Sequence, residues 1–370
     1  MKRVAIIYNY IHHYRIPLFN LLSKSKINDY TIISGNNAEI PIKMADNELS
    51  LKNPNNGGIN WIIIKNFWWR NRFLFQPHIL GKSYFTKYDT YVYLGNMYYL
   101  STWISAIIAR IIGKKVIFWT HGFIREENNF IGFIRSIFYK IPHKILVYGS
   151  RAKNILVSKG FSEEKVSLIY NSLDFERQNI FFKKKEIIKD LFIDSKLSIV
   201  GFIGRLTSQK RIHLIIELLY SMPKGKKFNL LIIGDGDQLS FLKNIVYNFN
   251  LCEYVLFKGA VYDEQENCNF ISMMDVLISP GEVGLTAIHS MTYGTPVITH
   301  DRFDKQMPEY EVIIPGVTGD FFDYSNPVSS LQTLLPKFLY KNHKYSDECR
   351  KIIKEKYNKE NQMLIFNSLV

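Results

Sequence analysis

The chain has 370 residues, enough for two domains with cores of their own, and its 47% apolar content excludes a disordered protein. Its three cysteines form no C-x-x-C pair, which argues against a disulfide framework or structural zinc site and favours a reducing compartment. Residues 1–180 hold 24 Lys and Arg against 11 Asp and Glu, so nearly all of the net charge of +14 lies there. This positive field suits nucleic acid, an anionic membrane surface or a phosphorylated substrate, although a solvated, lysine-rich surface gives the same count.

The amino terminus shows no targeting pattern. MKRVAIIYNY has a short basic start but neither the longer apolar region nor the cleavage site of a signal peptide. The most apolar helical stretch, 99–112, contains Arg110 and is too short to span a bilayer. We therefore expect a protein that is soluble, or that lies on a membrane without crossing it.

The first half alternates apolar runs, which predict strands, with segments of helical spacing. Strands are predicted at 3–10, 30–35, 59–65, 90–95, 114–122 and 144–150. Helices are predicted between them at 15–24, 98–112, 131–141 and 151–160. Such alternation is typical of a mostly parallel sheet that is covered on both faces.

A charged stretch without a buried-strand pattern, 173–195, predicts an inter-domain linker. A second alternation follows it. Strands are predicted at 197–204, 228–236, 254–261, 275–281 and 294–301, and helices at about 211–221, 237–248, 264–273 and 285–293. The sequence therefore predicts two Rossmann-like domains, and ligands of such open sheets bind beyond the carboxyl ends of the strands.

A basic turn, GRLTSQKR, follows the first strand of the second half. It offers Gly204, Arg205 and Lys210. Cations at a helix start oppose the helix dipole, so an anionic ligand explains them better than a solvated basic face does. Two turns that are weaker signals end strands at the same sheet edge and supply Asp235, Gly236, Lys258 and Gly259.

A glycine-rich turn precedes the helix in SPGEVGLTAIHSMTYGTPVITHD, residues 279–301. The first backbone N–H groups of that helix, those of Val283, Gly284 and Leu285, are expected to be free and to bind a phosphate group. Gly281 lies in the same turn and leaves room for a ligand. His289 lies on or beside the packed face of the helix, so it is either a ligand contact or a core histidine.

Polar residues also follow strands in the first half. His121 ends a strand in WTHG, and Asn96 lies in the turn after another strand. The loop after the first strand, NYIHHYRIP, contains Asn9, His12, His13 and Arg15. Two adjacent histidines in an irregular loop make a poor metal site, so a substrate loop is the better interpretation.

An aromatic and basic stretch, KNFWWRNRFLF, occupies residues 65–75. This composition would suit a membrane interface, where the rings would lie at the level of the headgroups and the cations would bind the phosphates. The same composition suits single-stranded nucleic acid, and core packing of the rings is the third possibility.

Together these motifs resemble the retaining GT-B glycosyltransferases of glycosyltransferase family 4, and the resemblance covers most of the chain. GRLTSQKR looks like the family's G-R-x4-K element, whose arginine and lysine hold the donor diphosphate. YNSLD (170–174) looks like its pNGvD segment, and MPEYEVIIPGVTGDFF (307–322) looks like its PEiv-x-G-x-tG run. FKGAV falls at the nucleotide-base loop, and WTHG places His121 at the family's cleft histidine.

The resemblance implies a GT-B fold, in which two Rossmann-like domains face each other across a cleft. An acceptor-binding domain (1–172), the linker, a nucleotide-sugar-binding domain (196–344) and a C-terminal helix that crosses back (345–370) are implied. The implied catalytic residues are His121, Arg205, Lys210 and Glu282. The implied donor-binding residues are Gly204, Asp235, Gly236, Lys258, Gly259, Gly281, Val283, Gly284, Leu285 and His289. The implied acceptor-binding residues are Asn9, His12, His13, Arg15 and Asn96.

The opening of the 279–301 stretch departs from the family pattern, which is Glu, seven residues, Glu, then A-M-x-x-G-x-P-V. Alignment on YGTPV puts His289 in place of the second glutamate, which holds the ribose in the family. It puts Gly281 in place of the first, which reads donor-sugar hydroxyls, and Glu282 is one residue late. A neutral imidazole can also bond a ribose hydroxyl. Either Glu282 reaches round the turn or backbone N–H groups hold the sugar, so the identity of the donor does not carry over.

The resemblance implies an enzyme that transfers a sugar from a nucleotide sugar, with retention, to a glycan or a polyprenyl-diphosphate-linked acceptor. We expect the product to be a bacterial surface polysaccharide, which includes capsule, O-antigen of lipopolysaccharide, and exopolysaccharide, because the basic first half and the stretch 65–75 suit a lipid-linked acceptor at a membrane. We expect no cofactor and no Mg²⁺ dependence, because Arg205 and Lys210 would stabilise the leaving diphosphate in place of a metal. The basic first half predicts a cytoplasmic protein that is peripheral at the inner face of the cytoplasmic membrane.

Two other functions stay open. A GT-B-fold nucleotide-sugar epimerase would use the same donor site but needs acids and bases in the cleft. A nucleic-acid-binding protein would explain the basic first half but not GRLTSQK, so we expect no nucleic-acid partner.

Overall fold

The computed structural model describes residues 1–39, 44–186, 188, 190–339 and 344–370. These residues form two units. The first consists of Met1–Asp174 and Asn358–Val370, and the second of Phe175–Tyr357. Each unit contains one parallel β-sheet.

The first unit contains a seven-stranded sheet and a two-stranded hairpin. Its strands are β1 (Arg3–Tyr10), β2 (Asp29–Gly35), β3 (Trp61–Ile63), β4 (Phe67–Trp69), β5 (Phe73–Phe75), β6 (Thr90–Leu94), β7 (Lys115–Thr120), β8 (Lys144–Val147) and β9 (Val166–Leu168). Its first helices are α1 (Ile16–Ser23), α2 (Lys82–Lys87), α3 (Leu100–Ile111), α4 (Phe130–Lys140) and α5 (Ser150–Ser158). Strands β4 and β5 pair antiparallel and form the hairpin.

The second unit contains a six-stranded sheet. Its strands are β10 (Ile199–Ile203), β11 (Asn229–Ile233), β12 (Val255–Gly259), β13 (Val276–Ser279), β14 (Val297–His300) and β15 (Gly319–Phe322). Its helices are α6 (Phe175–Lys183), α7 (His213–Ser221), α8 (Leu239–Asn248), α9 (Glu264–Ser272), α10 (Leu285–Thr292), α11 (Pro327–Leu334) and α12 (Ser346–Lys356). The chain then returns to the first unit with α13 (Lys359–Leu369).

The order of strands gives each sheet one switch point. The first sheet runs β3-β2-β1-β6-β7-β8-β9, and the second runs β12-β11-β10-β13-β14-β15. The order therefore reverses between β1 and β6 in the first unit and between β10 and β13 in the second. In open parallel sheets, ligands bind at such a point, beyond the carboxyl ends of the strands.

The strands are apolar because both faces of the sheets are buried. In β11 all five residues, Asn229–Ile233, are buried. In the first unit, one face packs on α1 and α13 through Phe19 and Phe366, and the other face packs on α3 and α4 through Ala106 and Phe138. Burial of these side chains is the main stabilising term of each unit.

The predicted α/β fold with two parallel sheets is confirmed. The stretch 173–195 contains α6, which packs on α9 within the second unit. Its buried residues, Phe175 and Gln178, are too few to give a clear apolar pattern in the sequence.

The segment 345–370 forms two helices where one was expected. Helix α12 belongs to the second unit and α13 to the first. A new helix begins after Asn358, because the Asn358 side chain accepts a hydrogen bond from the backbone N–H of Asn361 at 2.7 Å and so caps α13. Within the described residues, no helix is long and apolar enough to cross a membrane.

Candidate functional site

The carboxyl edge of the second sheet is built from closely packed backbone turns. A Cβ on Gly234 would lie 1.9 Å from the carbonyl oxygen of Gly204, and one on Gly236 would lie 2.4 Å from that of Leu206. Only glycine fits such an approach. The turns after β10 and β11 therefore form one surface, on which Asp235 is exposed. Gly259 ends β12 beside them, since its carbonyl oxygen accepts from the N–H of Gly234 at 2.9 Å.

Lys210 joins the two loops that flank the switch point between β10 and β13. Its Nζ donates to the backbone carbonyl of Glu282 at 2.8 Å and lies 3.7 Å from the Glu282 carboxylate. Burial lowers the pKa of Lys210, Glu282 opposes that shift, and nearby Arg205 adds to it. Arg205 itself is exposed. The structure thus brings together three of the catalytic residues predicted from the sequence, and two of them are cations.

Gly281 is required by packing. A Cβ there would lie 2.2 Å from the carbonyl oxygen of Gln209 and 2.7 Å from Cα of Lys210. These are backbone atoms, which cannot give way as a flexible side chain can. The loop that holds Lys210 therefore occupies the space that a side chain at 281 would need. Within the described residues, this packing leaves room only for glycine at position 281.

The start of α10 differs from the prediction at one N–H group. The N–H of Val283, expected to be free for a phosphate, donates to Oε1 of Gln306 at 2.7 Å, and that bond is buried. No local pattern in the sequence indicates this contact, because Gln306 follows β14, two segments later. Within the described residues, the N–H groups of Gly284 and Leu285 have no such acceptor, as is usual in the first turn of a helix. The helix start can therefore offer two donors beside Lys210 and Arg205.

His289 bonds to a carboxylate. Its Nε2 lies 2.9 Å from Oε1 of Glu264, at the start of α9. The same oxygen accepts from the Tyr293 hydroxyl at 2.6 Å and from Nε2 of Gln178 at 2.8 Å. Burial alone would raise the pKa of Glu264. The hydrogen bond and the charge of His289 oppose burial, and so do the hydrogen bonds from Tyr293 and Gln178. Together they outweigh it and lower the pKa of Glu264 to about 2. His289 is therefore oriented by Glu264 through Nε2.

The Glu264 network should make stability depend on acid pH. The pKa of Glu264 falls from an ordinary 4.5 to about 2 on folding, so its stabilising contribution is complete above pH 4.5 and is lost as the pH falls towards 2. We expect Glu264→Gln to weaken that part of the pH dependence, because glutamine keeps an acceptor but carries no charge. Urea unfolding measured over this range tests it. Glu266→Gln on the same helix is the matched control and should keep the wild-type profile, and equal profiles for both variants would contradict the prediction.

In the first unit, a buried arginine lies at the switch point between β1 and β6. Arg15 is 1% exposed, and its Nη2 donates to the Tyr148 hydroxyl at 2.9 Å. Its guanidinium lies over the Trp119 ring at 4.6 Å. In the described part of the chain, it forms no ion pair, and its Nε and Nη1 have no hydrogen-bond partner. Aromatic rings therefore supply most of the compensation for this buried cation.

His121 belongs to the same group. Its ring lies 4.7 Å from that of Tyr148, and its Nδ1 is buried without a partner among the described residues. Burial, followed by the charge of Arg15, lowers the pKa of His121 to about 4. The imidazole is therefore neutral at pH 7 and can donate or accept a hydrogen bond there.

The other acceptor candidates lie at the same sheet edge, in different environments. Asn9 is buried, and its Oδ1 has no partner among the described residues. His12 stacks on Tyr14 at 5.2 Å, and burial lowers its pKa to about 4. His13 is exposed. The side chain of Asn96 holds its own turn, since its Oδ1 accepts from the N–H of Tyr98 at 3.0 Å.

Sequence reasoning missed three residues of these sites: Tyr148, Glu264 and Gln306. Tyr148 follows a predicted strand, so its place at the sheet edge could have been inferred. Glu264 begins a predicted helix just after the FKGAV loop, and this position beside a predicted ligand loop could have indicated a place in the site. The partner of each depends on tertiary packing that no local pattern reports.

Lys258 lies apart from this group of residues. Its Nζ pairs with Glu266 at 3.1 Å on the exposed side of β12 and α9. Across the described ranges, no three His, Cys, Asp or Glu side chains lie close enough to hold a metal ion.

Comparison with known proteins agrees with this architecture. Residues 183–359, nearly all of which belong to the second unit, match the family model described as Glycosyl transferases group 1. An uncharacterised glycosyltransferase of Methanocaldococcus jannaschii is 25% identical over 208 residues, which cover 54% of this chain and 52% of that relative. The match thus spans about half the length of that protein.

Two solved structures are similar over the whole chain. The lipopolysaccharide outer core galactosyltransferase WaaB, in its apo form, has a TM-score of 0.70 at 16% identity and covers 99% of this chain and 98% of its own. Anabaena HepE in complex with UDP has a TM-score of 0.69 at 14% identity and covers 100% and 99%. At these identities the likeness shows the fold alone, which is the GT-B fold expected from the sequence.

Proposed function

We propose, starting from the glycosyl transferases group 1 domain at residues 183–359, that this protein transfers a sugar from a nucleotide-sugar donor to an acceptor. The observation that carries the proposal is the switch point between β10 and β13. There Lys210 and Arg205 lie beside the loop that leads to the start of α10. Cations and helix N–H groups at one sheet edge suit a diphosphate. The UDP complex of HepE supports the same class of ligand for this fold.

In the proposed mechanism, the leaving diphosphate is stabilised electrostatically. Arg205 and Lys210 would neutralise its developing charge, and the N–H groups of Gly284 and Leu285 would bond its oxygens. Lys210 would exchange its contact with the Glu282 carboxylate for the phosphate, which frees Glu282 for the donor sugar. The resemblance to family 4 supports retention, with front-face attack in which the departing phosphate takes the acceptor proton.

The remaining donor contacts are proposed from position. His289, held by Glu264, would bond the ribose through its second ring nitrogen. The turns that carry Gly204, Gly236 and Gly259, with Asp235, would line the nucleotide. Neutral His121 would contact the donor sugar, as the family's cleft histidine does.

For the acceptor, we propose a glycan or a polyprenyl-diphosphate-linked oligosaccharide of bacterial surface polysaccharide synthesis. Asn9, His12, His13, Arg15 and Asn96 would bind it at the edge of the first sheet. Among the described residues, Nε and Nη1 of Arg15 have no hydrogen-bond partner, which supports an anionic or hydroxyl-rich acceptor, since buried donors require partners.

A thermal-shift screen tests the donor site. We expect one nucleotide sugar, at about 100 times its Kd, to stabilise the protein by about 2.7 kcal/mol, and its nucleoside diphosphate to shift the melting temperature in the same direction. The shift should persist in EDTA, because the proposed site uses cations of the protein. Lys210→Met should reduce the shift, and Lys226→Met, which changes an exposed lysine of the same unit, should not. A flat response to every nucleotide sugar would overturn the proposal.

A further inference from the structure

Two neighbouring helices of the first unit expose apolar side chains to solvent. In α3, Leu100, Ile104, Ile107 and Ile111 follow one another at intervals of four, three and four residues and are all exposed. In α4, the exposed residues Phe130, Phe133 and Ile137 repeat at three and four. Such spacing places each set on one helix face. We name these seven side chains the two-helix face.

The two helices that carry this face are in contact with each other. Trp103 of α3 contacts Phe138 of α4, with ring centroids 4.7 Å apart. Both helices cover the same side of the sheet, through Ala106, Phe138 and the strand residue Phe118. Ile111 is 78% exposed and Phe130 is 75% exposed, with the whole chain present. Contiguous apolar patches of this kind mark interaction sites on soluble proteins.

Cations border one end of the two-helix face. Arg110 and Lys140 lie in the last turns of α3 and α4 and are exposed. Nearby Lys165 donates from Nζ to the carbonyl of Lys140 at 3.0 Å. Burial, and then the nearby charges of Arg110 and Lys140, lower the pKa of Lys165 to about 8. Neither α3 nor α4 contains an acidic residue.

The β4–β5 hairpin lies at the other end of α3. The N–H of Leu74 donates to the carbonyl of Tyr98 at 3.1 Å, two residues before α3 begins. The hairpin exposes Phe67 and Trp69, and Arg70 lies over the Trp69 ring at 4.9 Å. Rings and cations thus continue the surface beyond the helices.

We propose that the two-helix face docks onto an anionic bilayer, with its apolar side chains at the level of the acyl boundary and its cations on the headgroups. This partner suits both observations, since apolar area and cations together bind amphipathic surfaces to anionic lipid. The charge of the first half, 24 Lys and Arg against 11 Asp and Glu, adds attraction at longer range. At such a membrane the protein would meet lipid-linked acceptors, and this role of the docking rests on the proposed function. The docking itself does not depend on the proposed function.

A second copy of the chain fits this surface less well. A two-fold contact whose axis runs along the helices would bring Arg110, Lys140 and Lys165 near their own counterparts. An axis across the helices would bring these cations to the hairpin end of the second copy, where Arg70 adds another positive charge. Like charges that face each other disfavour association. An anionic bilayer faces the same residues with opposite charge.

Vesicle co-sedimentation tests the docking. Wild-type protein should bind vesicles of phosphatidylglycerol and phosphatidylcholine at about 150 mM salt, and bind pure phosphatidylcholine at least about tenfold more weakly. Ile104→Glu with Ile107→Glu should lower binding about tenfold or more, because both charges would enter the apolar boundary. Arg110→Glu with Lys140→Glu should lower vesicle binding by a similar factor. High salt should reduce the difference from the wild type, because it screens these charges. Matched controls in the second unit are Phe241→Glu with Tyr247→Glu, and Lys224→Glu with Lys226→Glu, all at exposed positions.

Binding that is unchanged in the two-helix variants, or absent in the wild type, would overturn the proposal. A wild-type dimer in light scattering that Ile104→Glu with Ile107→Glu dissociates would also overturn it, in favour of a second copy. The nucleotide-sugar thermal shift is measured on the same variants and should stay at the wild-type value. Vesicle binding without the nucleotide-sugar thermal shift would overturn the proposed function alone. The thermal shift without vesicle binding would overturn the docking proposal alone.

Discussion

Replacing Lys210 with methionine is expected to lower kcat about 100- to 1,000-fold, the effect of removing one preorganised donor from a developing negative charge. Methionine keeps the apolar stem of the side chain but removes the ammonium group that bonds the Glu282 carbonyl. Because the charge on the diphosphate grows as the glycosidic bond breaks, the loss should be larger in kcat than in KM. Release of nucleoside diphosphate under steady-state conditions with the cognate donor measures it.

The control for this change is Lys226→Met. Lys226 is an exposed lysine of the same unit, in the turn before β11, and its loss should leave kcat within about twofold. Lys210→Arg should recover part of the activity, since it restores the charge with a different shape. If Lys210→Met turned over as fast as Lys226→Met, the diphosphate would have to be stabilised elsewhere.

Substitution of Gly281 is the change with the largest expected effect on stability. Gly281→Ala should destabilise the second unit by about 3 kcal/mol, because its Cβ would meet backbone atoms of Gln209 and Lys210 at 2.2 and 2.7 Å. In a unit of this size, that corresponds to a fall of roughly 6–12 °C in melting temperature. Gly281→Glu should be at least as destabilising, because its side chain would meet the same backbone atoms. Thermal unfolding followed by circular dichroism measures both.

Gly225→Ala is the matched control for Gly281. A Cβ on Gly225 meets nothing within 4 Å. That change should be neutral or stabilising by up to about 1 kcal/mol, because alanine restricts the unfolded chain. Equal melting temperatures for the two alanine variants would show that the loops can separate, and the packing requirement for glycine at position 281 would fail.

The architecture could be predicted because the apolar runs and the turns that end them are local signals. The runs at 3–10 and 90–95 became neighbouring strands, and those at 197–204 and 275–281 did the same. Gly204 and Lys210 could be placed at a sheet edge for the same reason. The partner of Lys210 could be anticipated only in part, since the sequence does not state which two loops meet at a switch point.

The side-chain networks could not be predicted from the sequence. Gln306 reaches the Val283 N–H across two intervening elements, and Glu264 reaches His289 from another helix. Both contacts depend on how helices lie on the sheet, which periodicity does not report. The two-helix face was hidden for a related reason. A run of isoleucines indicates a helix, and only the packed structure shows that Ile104 and Ile107 lie outside the core.

Because α13 belongs to the first unit, that unit cannot complete its fold before α13 has been synthesised. Phe366 of α13 is fully buried and lies 5.2 Å from Trp119, ring to ring, and Tyr30 donates to Asn367 at 2.8 Å. While a ribosome is still translating residues 175–357, the apolar side chains that α13 will cover have no partner. The second unit is continuous in sequence and can complete its fold first. The first unit, most of which is synthesised first, therefore completes its fold last. Until α13 packs on it, its exposed apolar surface needs protection from aggregation in the cell.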